Sequence, residues 1–374
     1  MTVIIESIKV AELAEAVAAA STSLPSRPNP PIMGALLIET DQNASTLALS
    51  SYDYDQASRA TITAAAVEAD ARIAVSGRLF GQVVKVAPKR EPLVLDVTPT
   101  ALIVRAGKTE FTLPLMKVED YPDLPSMADA EILGQADAAD LAAAVALVDV
   151  AADKSSDAPT ITQAIMLEAD GDTLTLAATD RFTLATTEVP WSSSGNLLWD
   201  LRLKADELAK AVKVFTDSDA VIVKRTGGMV SLSAAAGEEL HVDLMLSVFD
   251  SEPLAWRQLL DYPVNTTVEV DTAELLAVAR RAVAVSDIPG TMLKVTDAGI
   301  DVSVDGALMD GVELESFNGE PIDYRINQTK VRNALSALGA ATTRITFNTP
   351  GRPIVISDVD GSNPARILVT GIRQ

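Results

Sequence analysis

A repeat about as long as a small domain runs three times through this sequence. The leucines that hold the same place in its Ala-rich helical patterns, Leu13, Leu141 and Leu275, are 128 and 134 residues apart. Each helical pattern precedes an apolar strand, a polar turn and a second, alternating strand. These strand pairs are GALLIETDQNASTLALSSYDYD, AIMLEADGDTLTLAATDRFTLA and GTMLKVTDAGIDVSVDGALMDG. Such a period is that of a whole domain, and it predicts three tandem copies of one fold.

Each copy is itself doubled, because a second helical pattern and a second strand block follow the first. Leu79, Leu208 and Val331 hold the same place in these second helices. Six amphipathic helices backed by antiparallel strands predict an α+β fold, with the apolar helix faces on the sheets and the other faces in solvent. If the units follow one another around an axis, the helices line a central hole.

Two polar stretches that contain proline, 118–131 and 255–267, are typical of linkers. They divide the chain into predicted domains 1–127, 128–262 and 263–374. With 374 residues, 48% of them hydrophobic, the chain can bury a core in each domain.

The chain has no cysteine, which excludes disulfides and thiolate chemistry and fits a reducing compartment. The N-terminal apolar run is interrupted by Glu6 and Lys9, so it does not resemble a signal peptide. The apolar run from Leu141 ends at Asp149, far short of a membrane span. We therefore expect a soluble, cytoplasmic protein.

The formal net charge of −22 argues against nucleic-acid binding, unless the cations are concentrated on one surface. They do concentrate on four of the predicted helices, while acids dominate the turns and strands. The alternative is that these are ordinary solvated helix faces. The cations are Arg78 and Lys85; Lys204, Lys210 and Lys213; Arg280 and Arg281; Lys330 and Arg332.

Catalytic and cofactor motifs are missing from the sequence. The one histidine, His241, lies in an alternating strand pattern, and without cysteine it leaves no conventional zinc cluster. AGKTE at 106–110 lacks the first glycine and the following helix of a phosphate loop. DVDGSN at 358–363 is typical of a tight turn. We expect no cofactor and no metal; a hydrolase that uses paired acids such as Asp53 and Asp55 stays an alternative.

The order of the segments resembles a known family along essentially the whole chain. The segments SRPNPPIMGALLIE, SGRLFGQVVKVAP, FTLPLMKVEDYPDLP and AATDRFTLA and the terminal GIRQ are similar to those of bacterial sliding clamps, the beta subunits of DNA polymerase III, and most of all to actinobacterial members. The resemblance implies three clamp domains and a head-to-tail homodimer that closes a ring around duplex DNA. Such a clamp tethers the replicative polymerase by topology and catalyses no reaction.

The resemblance also implies roles for individual residues. Arg27 and Lys154 would lie near DNA with the helix cations, and Phe111 would face Ala284 and Val285 across the dimer joint. A pocket would take short, partly hydrophobic peptides from the polymerase, the clamp loader and repair proteins. Its residues would be Thr179, Arg181, Phe182, Thr183, Leu184, Pro253, Leu259, Leu368, Thr370, Ile372 and Arg373. The alternative for Leu184 and Leu368 is a purely structural place in the core.

The chain departs from the usual family pattern at this pocket. Family members commonly have a Gly-His-Arg-Leu-like turn where residues 181–184 are Arg-Phe-Thr-Leu, and a Met-Pro-x-Arg-Leu-like end where residues 370–374 are Thr-Gly-Ile-Arg-Gln. These changes suit a phage-encoded or duplicate clamp, or a resistance paralogue. A clamp-derived scaffold that binds proteins but does not serve the main replicase is the alternative function.

Overall fold

The computed structural model describes residues 3–63, 66–155, 157–195, 198–237, 239–250, 254–261, 263–286 and 288–372. Within these ranges the chain forms six α-helices, and all lie where the helical patterns predict them. They are α1 (Val10–Ala20), α2 (Gly77–Val86), α3 (Ala138–Asp149), α4 (Ala205–Val214), α5 (Thr272–Val285) and α6 (Gln328–Leu338).

The strands are short, and most of them pair antiparallel with a strand that is adjacent in the sequence. The first thirteen are β1 (Val3–Ile8), β2 (Ala35–Asp41), β3 (Thr46–Tyr52), β4 (Gln56–Thr63), β5 (Ala66–Val67), β6 (Ala71–Ser76), β7 (Leu93–Val97), β8 (Ala101–Ala106), β9 (Thr109–Met116), β10 (Glu131–Asp137), β11 (Ala164–Asp170), β12 (Thr173–Thr179) and β13 (Thr183–Pro190). The others are β14 (Ser192–Ser193), β15 (Trp199–Lys204), β16 (Ala220–Thr226), β17 (Met229–Ala235), β18 (Leu240–Ser247), β19 (Thr266–Asp271), β20 (Thr291–Thr296), β21 (Gly299–Val304), β22 (Leu308–Val312), β23 (Ser316–Gly319), β24 (Ile322–Ile326), β25 (Thr342–Phe347), β26 (Pro353–Asp358) and β27 (Arg366–Thr370).

Side-chain caps set where several helices begin. The Oγ of Ser76 accepts the N–H of Leu79 before α2 (3.4 Å), and an Asp271 oxygen accepts the N–H of Glu274 before α5 (2.8 Å). The side chain of Asn327 caps α6 in the same way. Each cap satisfies a backbone donor that the first turn leaves without a partner.

The chain divides into two compact units, the first comprising Met1–Ala139, Ser192–Asn196 and Lys210–Val248. Its described strands form one fourteen-stranded sheet with the order β14-β10-β16-β17-β18-β4-β3-β2-β6-β9-β8-β7-β1-β5. The pairing of β4 with β18 joins strands of the first and second repeats. Helix α1 packs on β3, β4 and β18 and against α2.

The second unit comprises Asp140–Trp191, Leu197–Ala209 and Phe249–Gln374. Its described strands form a nine-stranded sheet, β15-β11-β12-β13-β27-β26-β25-β19-β23, and a four-stranded sheet, β22-β21-β20-β24. The pairing of β13 with β27 joins the second and third repeats. Because each unit takes part of the second repeat, the boundaries at 127 and 262 stay a prediction.

Both predicted linkers contain a buried aromatic residue, so neither is only a solvated connection. Tyr121 and Trp256 are 5% and 4% exposed and belong to short apolar clusters on the sheets. Tyr121 directly follows the 3-10 helix Val118–Asp120, and Trp256 is the first residue of the 3-10 helix Trp256–Leu260. Burial of a large aromatic side chain is favourable enough to hold a connecting segment on the sheet.

Other sequence features lie where the patterns indicate. His241 is a residue of β18, with its Nε2 3.0 Å from the Oγ of Ser233. Asp358 closes the tight turn at 358–363 by accepting the hydroxyl of Ser362 (2.7 Å). This hydrogen bond is the main cause of the lowered pKa of Asp358. Among the helices of the described residues, none is long and apolar enough to cross a membrane.

Candidate functional site

A cavity of about 780 Å³ opens in the second unit beside the β12–β13 turn and the C-terminal segment. It brings together nine of the residues that the family resemblance assigns to the pocket. Pro253 and Arg373, also assigned to it, lie outside the described residues. The nine are Thr179, Arg181, Phe182, Thr183, Leu184, Leu259, Leu368, Thr370 and Ile372.

The β12–β13 turn is fixed by its own hydrogen bonds. An Asp180 oxygen accepts the N–H groups of Phe182 (3.0 Å) and Thr183 (2.7 Å), and the hydroxyl of Thr179 donates to the Thr183 carbonyl (2.7 Å). Arg181 has a φ of 75°, a left-handed conformation that is costly for a residue other than glycine. The turn leaves the Phe182 side chain exposed.

The C-terminal segment joins three walls of the cavity through its backbone. Three successive N–H groups donate to carbonyls on three separate segments. The pairs are Thr370 to Phe182 (2.8 Å), Gly371 to Arg352 (3.3 Å) and Ile372 to Arg325 (2.8 Å). Because backbone hydrogen bonds fix all three walls, the shape of the cavity exists before any ligand arrives.

The floor of the cavity is apolar and continuous with the core. Leu184 and Leu368 are opposite each other in the β13–β27 pair, and each is only 3% exposed. They pack against Trp256, whose Nε1 donates to Glu168 at 3.0 Å. The two leucines are therefore both core residues and the floor of the cavity.

The rim is more accessible than the floor. Phe182, Leu254 and Leu259 line it with large parts of their side chains in solvent. Exposed apolar groups around a concave apolar floor are typical of a site for a ligand with its own apolar groups.

Sequence reasoning missed one side of this cavity. Most of the missed residues come from the β25–β26 turn and the first residue of β26. The others come from β24, from the segment before the 3-10 helix at Trp256 and from the C-terminal segment. A Pro-Gly turn signal at 350–351 was visible in the sequence, but the contact of this turn with the C-terminus depends on pairing between distant strands. The missed residues are Leu254, Arg325, Thr349, Pro350, Gly351, Arg352, Pro353 and Gly371.

Gly371 explains one departure from the usual family pattern. A Cβ at this position would lie 2.7 Å from the Oη of Tyr324 and 2.8 Å from its ring, closer than atoms can pack. Tyr324 is fully buried and contacts Phe347 edge-on. With Tyr324 in this place, neither proline nor alanine fits at position 371.

The first unit contains the repeat counterpart of the β12–β13 turn. An Asp53 oxygen accepts the N–H groups of Asp55 (3.1 Å) and Gln56 (2.8 Å), and Tyr54 has a φ of 76°, as Arg181 has 75°. A smaller cavity of about 350 Å³ lies on this part of the sheet, but the turn residues do not line it. In the second unit, by contrast, the corresponding turn lines the cavity of about 780 Å³.

The cations assigned to DNA contact fall into two groups, and Lys204, predicted on a helix, is instead the last residue of β15. One group forms no ion pair within the described residues and is mostly exposed. It comprises Arg27, Arg78, Lys85, Lys210, Lys213, Arg280 and Arg332. On α2 and α4, the cations are spaced by three or seven residues and so share one helix face.

The other group is ion-paired, which reduces its positive field. Arg281 pairs with Asp310 at 2.5 Å, and this hydrogen bond is the main reason why the pKa of Asp310 is lowered. The remaining pairs are Lys154 with Asp149 and Asp206, Lys204 with Glu207, and Lys330 with Asp180.

The residues assigned to a dimer joint are accessible to different degrees. Phe111 is half-buried on β9, whereas Ala284 and Val285 are exposed in the last turn of α5. Val285 is 44% exposed.

No group of three metal-ligating side chains occurs in the part of the chain that the structure describes. The cavity lining consists mainly of apolar side chains, threonines, backbone groups and the side chains of Arg181, Arg325 and Arg352.

Comparison with known proteins identifies the family. Residues 4–125 match the model of the DNA polymerase III beta subunit, N-terminal domain. The beta sliding clamp of Micrococcus luteus is 32% identical over 281 residues, which cover 74% of this chain and 86% of the relative. The beta sliding clamp of Streptomyces coelicolor is 27% identical over 96% of this chain and 97% of the relative.

Solved structures show the same fold along the whole chain. A DnaN sliding clamp from Pseudomonas aeruginosa bound to griselimycin superposes with a TM-score of 0.90 at 16% identity, covering 100% of both chains. The fold class and the resemblance to actinobacterial clamps are thus confirmed. On the strength of the Micrococcus match, the chain belongs to the beta sliding clamp family.

Proposed function

We propose that this chain is a DNA sliding clamp, a processivity factor that encircles duplex DNA and tethers the replicative polymerase. Two copies would join head to tail into a closed ring of six domains in the cytoplasm. The clamp would act by topology and catalyse no reaction. Family membership along nearly the whole chain is the observation that carries this proposal.

The charge distribution fits a ring that slides. Arg78, Lys85, Lys210 and Arg280 offer phosphate contacts without ion pairs among the described residues. Such contacts are weak, independent of sequence and sensitive to salt. An acidic chain with a net charge of −22 would repel DNA elsewhere and keep it in the hole.

The cavity beside Leu184 and Leu368 would receive short peptide segments of the polymerase, the clamp loader and repair proteins. Its apolar floor and preformed backbone suit a short segment with two or three apolar anchors. Because one pocket would serve several partners, they would compete for it.

The dimer joint would bring Phe111 of one copy against Ala284 and Val285 of the other. Burial of apolar area there contributes about 25 cal/mol per Å², from which the cost of association is subtracted. A ring that opens for loading needs a joint that is stable but not permanent.

Retention on DNA tests the clamp function directly. The protein is loaded with a clamp loader onto nicked circular DNA, and the DNA is then linearised. We expect the protein to stay on circles and to leave linear DNA by sliding off its ends. Equal retention on both forms would contradict topological binding.

A matched variant tests the cationic faces. Replacing Arg78, Lys85, Lys210 and Arg280 by glutamine should weaken loading and reduce its salt dependence. Replacing Arg366, which is exposed on β27 beside another cavity, serves as the control. Loading unchanged in the fourfold variant would exclude these residues from DNA contact.

The clamp-derived scaffold stays the second candidate, favoured by the atypical turn at Arg181 and Phe182 and by Gly371. A scaffold would bind peptides but would not stimulate processive synthesis by a replicase on primed circular DNA. A clamp would do both.

A further inference from the structure

Carboxylates flank some of the cations that are assigned to DNA contact in the second unit. Lys154 lies between two of them, because its Nζ donates to Asp149 and, at 2.8 Å, to Asp206. Asp149 is the last residue of α3, and Asp206 lies in the first turn of α4. The three side chains carry one positive and two negative charges, so the group as a whole repels a phosphate.

The two carboxylates bind the Lys154 ammonium group without covering it. Burial opposes the charge of Lys154, but hydrogen bonds to Asp149 and Asp206 outweigh burial and raise its pKa. The Lys154 side chain is nevertheless 44% exposed. A phosphate can therefore reach Lys154 from solvent, but it has to compete with two carboxylates for the same donors.

Arg281 has a carboxylate partner of the same kind. The Nε of this residue on α5 donates to Asp310 on β22 at 2.5 Å, and the Arg281 side chain is 53% exposed. By contrast, α2 in the first unit contains no acidic residue, and its Arg78 and Lys85 form no ion pair within the described residues. Carboxylates therefore compete with phosphate at Lys154 and Arg281, but not on α2.

We propose that Asp149, Asp206 and Asp310 hold their cations back from the DNA backbone, and so limit how tightly the ring binds the duplex that it encloses. This inference rests on the proposed clamp function. A phosphate contact gains free energy by releasing the counterions of DNA, and a cation that already binds a carboxylate gives up that ion pair first. The three aspartates would thus favour sliding over tight binding.

A purely structural role for these ion pairs makes a different prediction. A cation near the C-terminal end of α3 and an acid in the first turn of α4 both oppose the helix dipoles favourably. If the pairs only stabilise these helix ends, loss of the carboxylates lowers stability and leaves DNA binding unchanged.

Binding of a short linear duplex at several salt concentrations, without a loader, separates the two roles. We expect the double variant Asp149→Asn/Asp206→Asn, and separately Asp310→Asn, to bind about tenfold more tightly than the wild type at 50 mM salt. The slope of log affinity against log salt should steepen by about 0.9 for each cation that gains a phosphate. After linearisation of a loaded circle, both variants should leave the DNA more slowly.

Two further variants assign the effect to the held cations. Asp120→Asn removes the same charge from the exposed Lys117–Asp120 pair (3.0 Å), which is not assigned to DNA, and should keep the wild-type affinity and slope. Adding Lys154→Gln to the double variant should return both values to about those of the wild type.

The outcomes distinguish this inference from the clamp function on which it rests. Wild-type affinity and salt slope in both aspartate variants, with the wild type retained on circles, would overturn the inference alone. An equal gain in Asp120→Asn would also overturn it, because net charge would then be the cause. A wild type that is not retained on circles would remove the clamp function itself.

Discussion

Lys330 on α6 forms an ion pair with Asp180, the residue that holds the β12–β13 turn at the cavity. The two residues are 150 positions apart in the sequence. One Asp180 oxygen takes the ammonium group, and the other accepts the N–H groups of Phe182 and Thr183. The charge distribution along the sequence assigns Lys330 to a DNA-facing surface, whereas this ion pair gives it a part in shaping the peptide site.

The pair predicts that Lys330→Met damages the pocket. The Asp180 side chain is only 7% exposed, so loss of its cation leaves a nearly buried carboxylate. We expect a loss of unfolding free energy of about 1 to 3 kcal/mol, together with weaker peptide binding. Urea denaturation and calorimetry measure the two effects. Lys213→Met, an exposed cation on α4, is the control, and equal effects of both changes would contradict the prediction.

Gly371 is predicted to tolerate no side chain. In Gly371→Ala the new Cβ would meet the Tyr324 ring and hydroxyl, so the C-terminal segment has to move away from the cavity. We expect peptide binding to fall by about tenfold or more, because the segment carries three backbone bonds to the cavity walls. Gly81→Ala in α2 is the control: its Cβ has room, 3.6 Å from Val17, and should stabilise by about 0.5 to 1 kcal/mol.

Tyr324 predicts a loss of stability at alkaline pH. Burial raises its pKa to about 12, from an ordinary value of 10.0. The neutral phenol is therefore favoured in the folded state. Its contribution to the free energy of unfolding is complete below pH 10 and declines as the pH rises towards 12. The expected loss is about 1.4 kcal/mol per pH unit in that window.

The change Tyr324→Phe isolates this effect. The Oη has no hydrogen-bond partner within the described residues, so the change should cost little at pH 7. Between pH 9 and pH 11, urea denaturation should show a smaller loss of stability for the variant than for the wild type. Tyr54→Phe, at a tyrosine that is 61% exposed, should follow the wild type. Identical pH profiles for all three proteins would show that Tyr324 does not titrate as its burial indicates.

The proposed dimer joint predicts that a charge at position 285 changes the oligomeric state. If it lies in the dimer joint, Val285→Asp places an unpaired charge among apolar residues, and the protein should become monomeric. Light scattering gives the mass directly. Leu198→Asp, at an exposed leucine outside the proposed joint, should stay dimeric. A dimeric Val285→Asp variant would exclude this joint.

The repeat is the reason why much of the fold could be predicted from the sequence. Leu13, Leu141 and Leu275 mark equivalent helices, and the segments that contain Asp53 and Asp180 belong to equivalent strand pairs. Local patterns of this kind repeat with the domain, so each copy supports the prediction for the others.

The missed parts depend on contacts between distant segments. Arg325 and Arg352 line the cavity, where their carbonyls accept N–H groups of the C-terminal segment, and sequence spacing does not show this contact. Likewise, the partner of Lys330 could not be inferred from charge spacing, since Asp180 lies in another repeat. Strand periodicity gives the face of a residue but not the neighbour that the fold brings to it.

Substitutions on the floor and on the rim of the cavity should affect stability and peptide binding differently. A change on the floor should lower both, whereas a change on the rim should lower peptide binding with little effect on stability. Leu184 is buried against Trp256 and Leu368, so Leu184→Ala should lower the unfolding free energy by about 2 to 5 kcal/mol as well as weaken peptide binding. Leu259 is 38% exposed, so Leu259→Ala should change stability by less than about 0.5 kcal/mol.

Peptide binding should nevertheless respond to the rim, because a docked peptide would cover the exposed part of Leu259. We expect Leu259→Ala to weaken binding by about 1 to 3 kcal/mol, which is roughly tenfold or more in affinity. Calorimetry and urea denaturation on the same protein samples separate the two effects. Wild-type peptide affinity in Leu259→Ala would mean that peptides contact the floor without crossing this side of the rim, and the cavity would then be occupied from the Phe182 side alone.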